Sequence, residues 1–205
     1  MTKRGSPKIT YKHNDLFRGD DDCHLNACVG RNGGPYDFYA YSLGYFHAGK
    51  CMAASLLENS DLIDLVVYPL VFTFRHAVEL GLKDLAIALP RLWDEGNDIK
   101  LTHKLLDNWT CVKAYVARPP VFSPEEPVID VVEKILGDLV EIDPSGEAFR
   151  FPTARNGNRF LQDTSWINIR VFASALSTVA DAFDFWHEIA VDTWQAKCED
   201  EASHY

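Results

Sequence analysis

The sequence predicts an all-α fold, a bundle of about five helices with a small irregular or hairpin insertion before the last long helix. Three observations lead there. From Tyr36 onward, apolar residues recur at three- and four-residue spacing over most of the chain. Prolines and Asn/Ser/Asp/Gly clusters cut that periodicity into segments of helical length. The last break, around Asp143-Pro144-Ser145-Gly146 and Phe149-Arg150-Phe151-Pro152, is too short and too proline-bounded to hold a helix.

Residues 1–35 are polar, rich in Gly and Asp, and without a lasting period, which predicts an irregular arm. The first helix is expected from Tyr36 to Glu58 on the apolar series Tyr39, Leu43, Phe46, Ala53, Leu57. Asn59-Ser60-Asp61 then offers caps to a second helix from Leu62 to Leu89, kinked or restarted at Pro69 and stopped by Pro90. Thr102 reads as the N-cap of a third helix ending near Val116, with His103 in its first turn. Ser123-Pro124-Glu125-Glu126 is the start signature of a fourth, reaching Val140. A short extended piece is expected at Phe149–Pro152, returning as a hairpin near Asn158 to Leu161. The closing helix begins near Thr164 to Trp166 and carries Ile169, Phe172, Leu176, Val179, Phe183, Trp186 and Ala190 on one face. Residues 36–195 therefore form the bundle, and 196–205 an acidic tail without periodicity.

A chain of 205 residues with 47% hydrophobic content is long enough for one well-buried domain. The net charge of -10 argues against broad, nonspecific attachment to nucleic acid or anionic membranes and leaves room for a local basic site. The apolar run Leu65 to Phe74 reaches half of the roughly 20 residues that cross a bilayer, so no membrane span is expected. No apolar stretch follows the basic N-terminus, and a cytoplasmic protein is the expectation. The five scattered cysteines fit reduced thiols, with Cys51 and Cys111 read as small core residues. His13, Cys23, His24 and Cys28 form a weak zinc pattern, and neither a metal nor a cofactor is called.

The richest segment chemically is Tyr68 to Lys83. On a helical wheel, Arg75, His76, Glu79 and Lys83 fall within an arc of roughly 100°, and the apolar Val67, Val71, Phe74, Val78, Leu82, Leu85 and Leu89 fill a separate arc of about 80°. The apolar stripe faces a core, and the ionic stripe faces solvent, a partner or a cleft.

Arg75-His76-Ala77-Val78-Glu79-Leu80 with Lys83, then Thr102-His103-Lys104-Leu105-Leu106-Asp107-Asn108-Trp109, then Asp143-Pro144-Ser145 and Phe149-Arg150-Phe151-Pro152, and a long closing helix, together resemble bacterial proteins of the HEPN-like superfamily. The resemblance spans roughly residues 36 to 195. It implies a helical bundle that commonly dimerises, and a setting of RNA cleavage or RNA binding in toxin–antitoxin, CRISPR or antiphage systems, with inactive binding or scaffolding members alongside. The family's Arg-then-His pattern, spaced by four to six residues, is met here by Arg18 and His24, in the N-terminal arm and outside the bundle.

A metal-independent ribonuclease needs an acid, a base and a cation for the phosphorane charge. His76 and His103 are the candidate acid and base, Arg75 and Arg150 the candidate phosphate holders, and Glu79 the group that orients them. The competing reading is structural: Arg75 and Glu79 as an intrahelical ion pair, His103 packed on a neighbouring helix, and Arg150 tying the insertion to Glu79 or Asp143. The same bundle then serves as a dimerisation or protein-interaction module. RNA, a homodimer mate, and a protein partner or antitoxin are the partners under consideration, with no membrane.

Overall fold

The computed structural model describes residues 16–30, 36–95, 101–121 and 128–203. The chain divides into two units, Met1–Tyr36 and Asp37–Tyr205. In the first, a 3-10 turn spans Cys23–Leu25. Asn26 closes the preceding loop, accepting from the Asp20 amide at 2.9 Å and donating to its carbonyl at 2.8 Å.

The second unit is all-helical: α1 (Phe38–Glu58), α2 (Ile63–Ala88), α3 (Leu105–Val116), α4 (Val128–Ile142) and α5 (Ile169–Ser203). Helix α1 begins because Asp37 caps it, its carboxylate accepting from the Ala40 amide at 2.8 Å. Asn59-Ser60-Asp61 does not cap α2 as expected. Asn59 instead accepts from the Asp61 amide at 2.9 Å in a turn of its own, and α2 starts after Leu62 with no side-chain cap. Helix α2 runs through Pro69 without interruption. Pro69 and Leu65 are both exposed, so water can take the carbonyl that the missing N–H abandons. Helix α2 ends at Ala88, just ahead of Pro90 as expected, and a 3-10 segment, Leu89–Trp93, follows it and ends at Asp94 in the left-handed conformation.

Helix α2 is the central element, packed against α1, α3 and α5. Phe46, Phe74, Leu82, Trp109, Leu136 and Trp186 are among the buried side chains that join all five helices in one core. Two glycines allow the close approaches. A Cβ at Gly81 would lie 2.4 Å from Phe183 Cδ2, and one at Gly49 would lie 2.9 Å from Leu176 Cδ1. The α2 segment with its 3-10 extension is long and apolar enough to meet a membrane-span criterion, yet most of it is buried inside the bundle.

Three helix boundaries depart from the expectation. Helix α3 starts at Leu105, not Thr102, because the Asn108 side chain holds Thr102 in a turn: it accepts from the Thr102 amide at 3.1 Å and donates to its carbonyl at 2.9 Å. Helix α5 starts at Ile169, capped by Asn168 Oδ1 at 3.0 Å from the Arg170 amide, and continues through most of the acidic tail to Ser203. The Ser123–Glu126 start signature lies outside the described residues. The hairpin in the insertion is present as a single antiparallel bridge, Thr153 with Arg159, closed by Ala154 N–H donating to Asn158 O at 2.8 Å.

Candidate functional site

The ionic stripe of α2 faces neither solvent nor a cleft. Arg75 and Glu79 are 5% exposed and Lys83 is 9% exposed, so α2 is buried on both its apolar and its ionic side. Two loops distant in sequence, the turn before α3 and the segment after α4, reach this stripe, and Phe38 of α1 lies against Lys83 with its ring centroid 5.9 Å from Nζ. Glu79 sits at the centre. Its Oε1 accepts from Lys83 Nζ at 2.8 Å and from His103 Nδ1 at 2.8 Å, and Oε2 faces Arg75 Nη1 at 3.5 Å. Arg75 Nε in turn approaches the Asp143 carbonyl at 3.4 Å and its carboxylate at 3.6 Å. Asp143 is itself held, Oδ1 accepting from the Ala148 amide at 3.0 Å.

The Arg75 guanidinium is long-bonded on every side, and Nη2 makes no hydrogen bond among the described residues although it is buried. Gly146 explains how it fits. At φ +77°, it lies against the guanidinium so closely that a Cβ would stand 2.6 Å from Nη1. Burial alone raises the Glu79 pKa, but the hydrogen bonds from Lys83 and His103 outweigh it and hold the carboxyl below its usual range. The carboxylate is therefore ionised and serves two cations and a histidine at once.

His103 is placed differently from the rest. Its side chain is 89% exposed while Nδ1 is fixed on the buried Glu79. A carboxylate only accepts, so Nδ1 carries the proton in that bond and Nε2 is directed away from it, in the arrangement of an oriented acid–base histidine.

His76 and Arg150 do not join this cluster. His76 is half-buried between Phe72, stacked at 5.9 Å, and Tyr45, edge-on at 4.6 Å, and burial pushes its pKa down, keeping it neutral. Arg150 makes no ion pair with Glu79 or Asp143 among the described residues. Its guanidinium lies over the rings of Phe72 at 5.5 Å and Phe151 at 5.2 Å. The Asp143 bridge foreseen for Arg150 is made by Arg75 instead, because the chain after α4 turns Asp143 inward and leaves Arg150 outside.

Other candidates resolve simply. Cys23, His24 and Cys28 are exposed, and no group of three metal-binding side chains forms among the described residues. His13 lies outside them. Cys51 is exposed beside His47, and Cys111 is only half-buried, so neither is the core residue expected. Phe183 and Trp186, on the apolar face of the closing helix, are core as expected.

Sequence reasoning gave Gly146 no role and gave Arg159 and Trp166 no part in a site. Arg159 and Trp166 border a groove of about 780 Å³ between the first turns of α2 and the insertion. A second histidine–carboxylate pair, His187 with Asp84 at 2.6 Å, was also missed. Tyr39 stacks on that histidine and donates to Asp184 at 2.9 Å. Comparison of the chain with protein-family models, with curated proteins and with solved structures finds no match.

Proposed function

We propose that this chain is a HEPN-like helical module that binds RNA without cutting it, in a defence or toxin–antitoxin setting, with the Arg75–Glu79–Lys83–Asp143 cluster as its structural clasp. The supporting observation is the burial of the cations. Arg75 and Lys83 are enclosed and engaged with Glu79 and Asp143, so neither guanidinium nor ammonium is free to hold a phosphorane. The RNA setting and a homodimer come from the resemblance to the superfamily.

A second reading, metal-independent RNA cleavage, is favoured by one observation, the exposed His103 ring fixed on a buried carboxylate. Incubating a pool of labelled RNAs with the protein in EDTA separates the two. Binding without cleavage is expected. Cleavage by the wild type that disappears in a folded His103→Ala variant would overturn the non-catalytic reading and make His103 the acid–base group.

A further inference from the structure

Outside the clasp, a groove of about 780 Å³ lies between α2 and the insertion. Phe149 forms its floor and packs beside Tyr68, ring centroids 6.4 Å apart. Tyr68, Phe151 and Trp166 stand at its border as exposed rings, Trp166 at 91%. Arg150 and Arg159 lie along the insertion side, and Asp64 is the acidic residue on the α2 side.

The charge here runs against that of the chain. Residues 148–162 contain Arg150, Arg155 and Arg159 and no Asp or Glu, in a protein of net charge -10. None of the three arginines makes an ion pair among the described residues. The Arg150 guanidinium lies over the rings of Phe72 and Phe151, and no carboxylate among the described residues pairs with it.

We propose that this groove is where the module binds RNA, and that it takes a single-stranded segment, with bases stacked on Trp166 and Phe151 and the phosphates on Arg150 and Arg159. The inference rests on the RNA-binding reading above and assigns its site. Exposed rings beside unpaired guanidiniums are what a single strand requires: every base offers a π-face, and the backbone needs cations at its side. A duplex hides those faces. Asp64 repels phosphate from the α2 wall, which sets the backbone on the insertion side.

The test is fluorescence anisotropy of an end-labelled, mixed-sequence single-stranded RNA of 12 nucleotides titrated with the full chain over a series of salt concentrations. The Arg150→Ala/Arg159→Ala double variant and Trp166→Ala change exposed side chains, and circular dichroism checks their fold. Trp166→Ala is expected to weaken binding roughly 5- to 150-fold, the range for loss of one stacked base. The arginine double variant should reduce the slope of log K against log salt by about 1.4, two contacts at roughly 0.7 each. Tight RNA binding by the wild type that both folded variants retain would overturn the groove and leave the RNA-binding reading standing. No RNA binding by the wild type would overturn both. Loss of self-association in Trp166→Ala with RNA affinity unchanged would make the surface a protein interface instead.

Discussion

Removing the Glu79 carboxylate leaves Lys83 buried without the charge that balances it and leaves Arg75 with Asp143 alone. Glu79→Ala is therefore expected to cost about 3–5 kcal/mol, read from urea unfolding. Glu79→Leu combined with Lys83→Met removes one charge of each sign, keeps Arg75 with Asp143, and should cost less than Glu79→Ala alone. A larger loss in the double variant would contradict the clasp. The spacing of Arg75, Glu79 and Lys83 made their common face legible in the sequence, and the motif Thr102-His103 placed a histidine near it. Their burial was not legible, because it depends on loops from elsewhere in the chain. Nor could spacing decide which arginine meets Asp143. That choice is settled by the turn at Gly146, where the absence of a side chain admits the Arg75 guanidinium.

At the scale of elements, α2 is fixed by how closely α1 and α5 approach it. A methyl at Gly81 would meet Phe183 at 2.4 Å and Ser42 Oγ at 2.9 Å, both buried. Helix propensity favours Gly81→Ala by about 1 kcal/mol, and overpacking opposes it by about 1–3 kcal/mol. Phe183 has little room to shift, so a net loss is expected. Gly137 in α4 has nothing within 4 Å of its would-be Cβ, and Gly137→Ala should instead gain up to about 1 kcal/mol. Thermal unfolding of the pair checks both signs. Helix number, order and apolar faces were readable because 3.6-residue periodicity is a local property. The starts of α3 and α5 were misplaced, and the cap of α2 misassigned, because Asn108, Asn168 and Asn59 each direct their side chains to particular backbone groups, a choice that composition leaves open.

For the whole molecule, titration bounds the range of stability. The His76 pKa is lowered by burial from its ordinary 6.5, so below that pH the unfolded chain binds a proton that the native chain resists. Stability from this source is complete above about 6.5 and is lost as pH falls toward the native value. Glu79, lowered from 4.5, adds a second loss deeper in acid. Tyr39 works in the other direction. Burial and its bond to Asp184 raise it from 10.0 to about 12, so its contribution is complete below 10 and is lost as pH climbs toward 12. A melting temperature that is flat between about pH 6.5 and 10 and falls on both sides is expected. His76→Gln should flatten the first part of the acid limb, and Tyr39→Phe the alkaline one. A wild-type profile unchanged by either variant would remove these two groups as its cause.

The clasp also has a bearing on time. Arg75 and Asp143 stand 68 residues apart and Glu79 and His103 24 apart, so these contacts form only after long stretches of chain have been brought together. Contacts that form after the folding barrier slow escape from the native state without hastening arrival. Glu79→Ala is then expected to raise the unfolding rate more than it lowers the folding rate, and the two limbs of a urea chevron read that division directly.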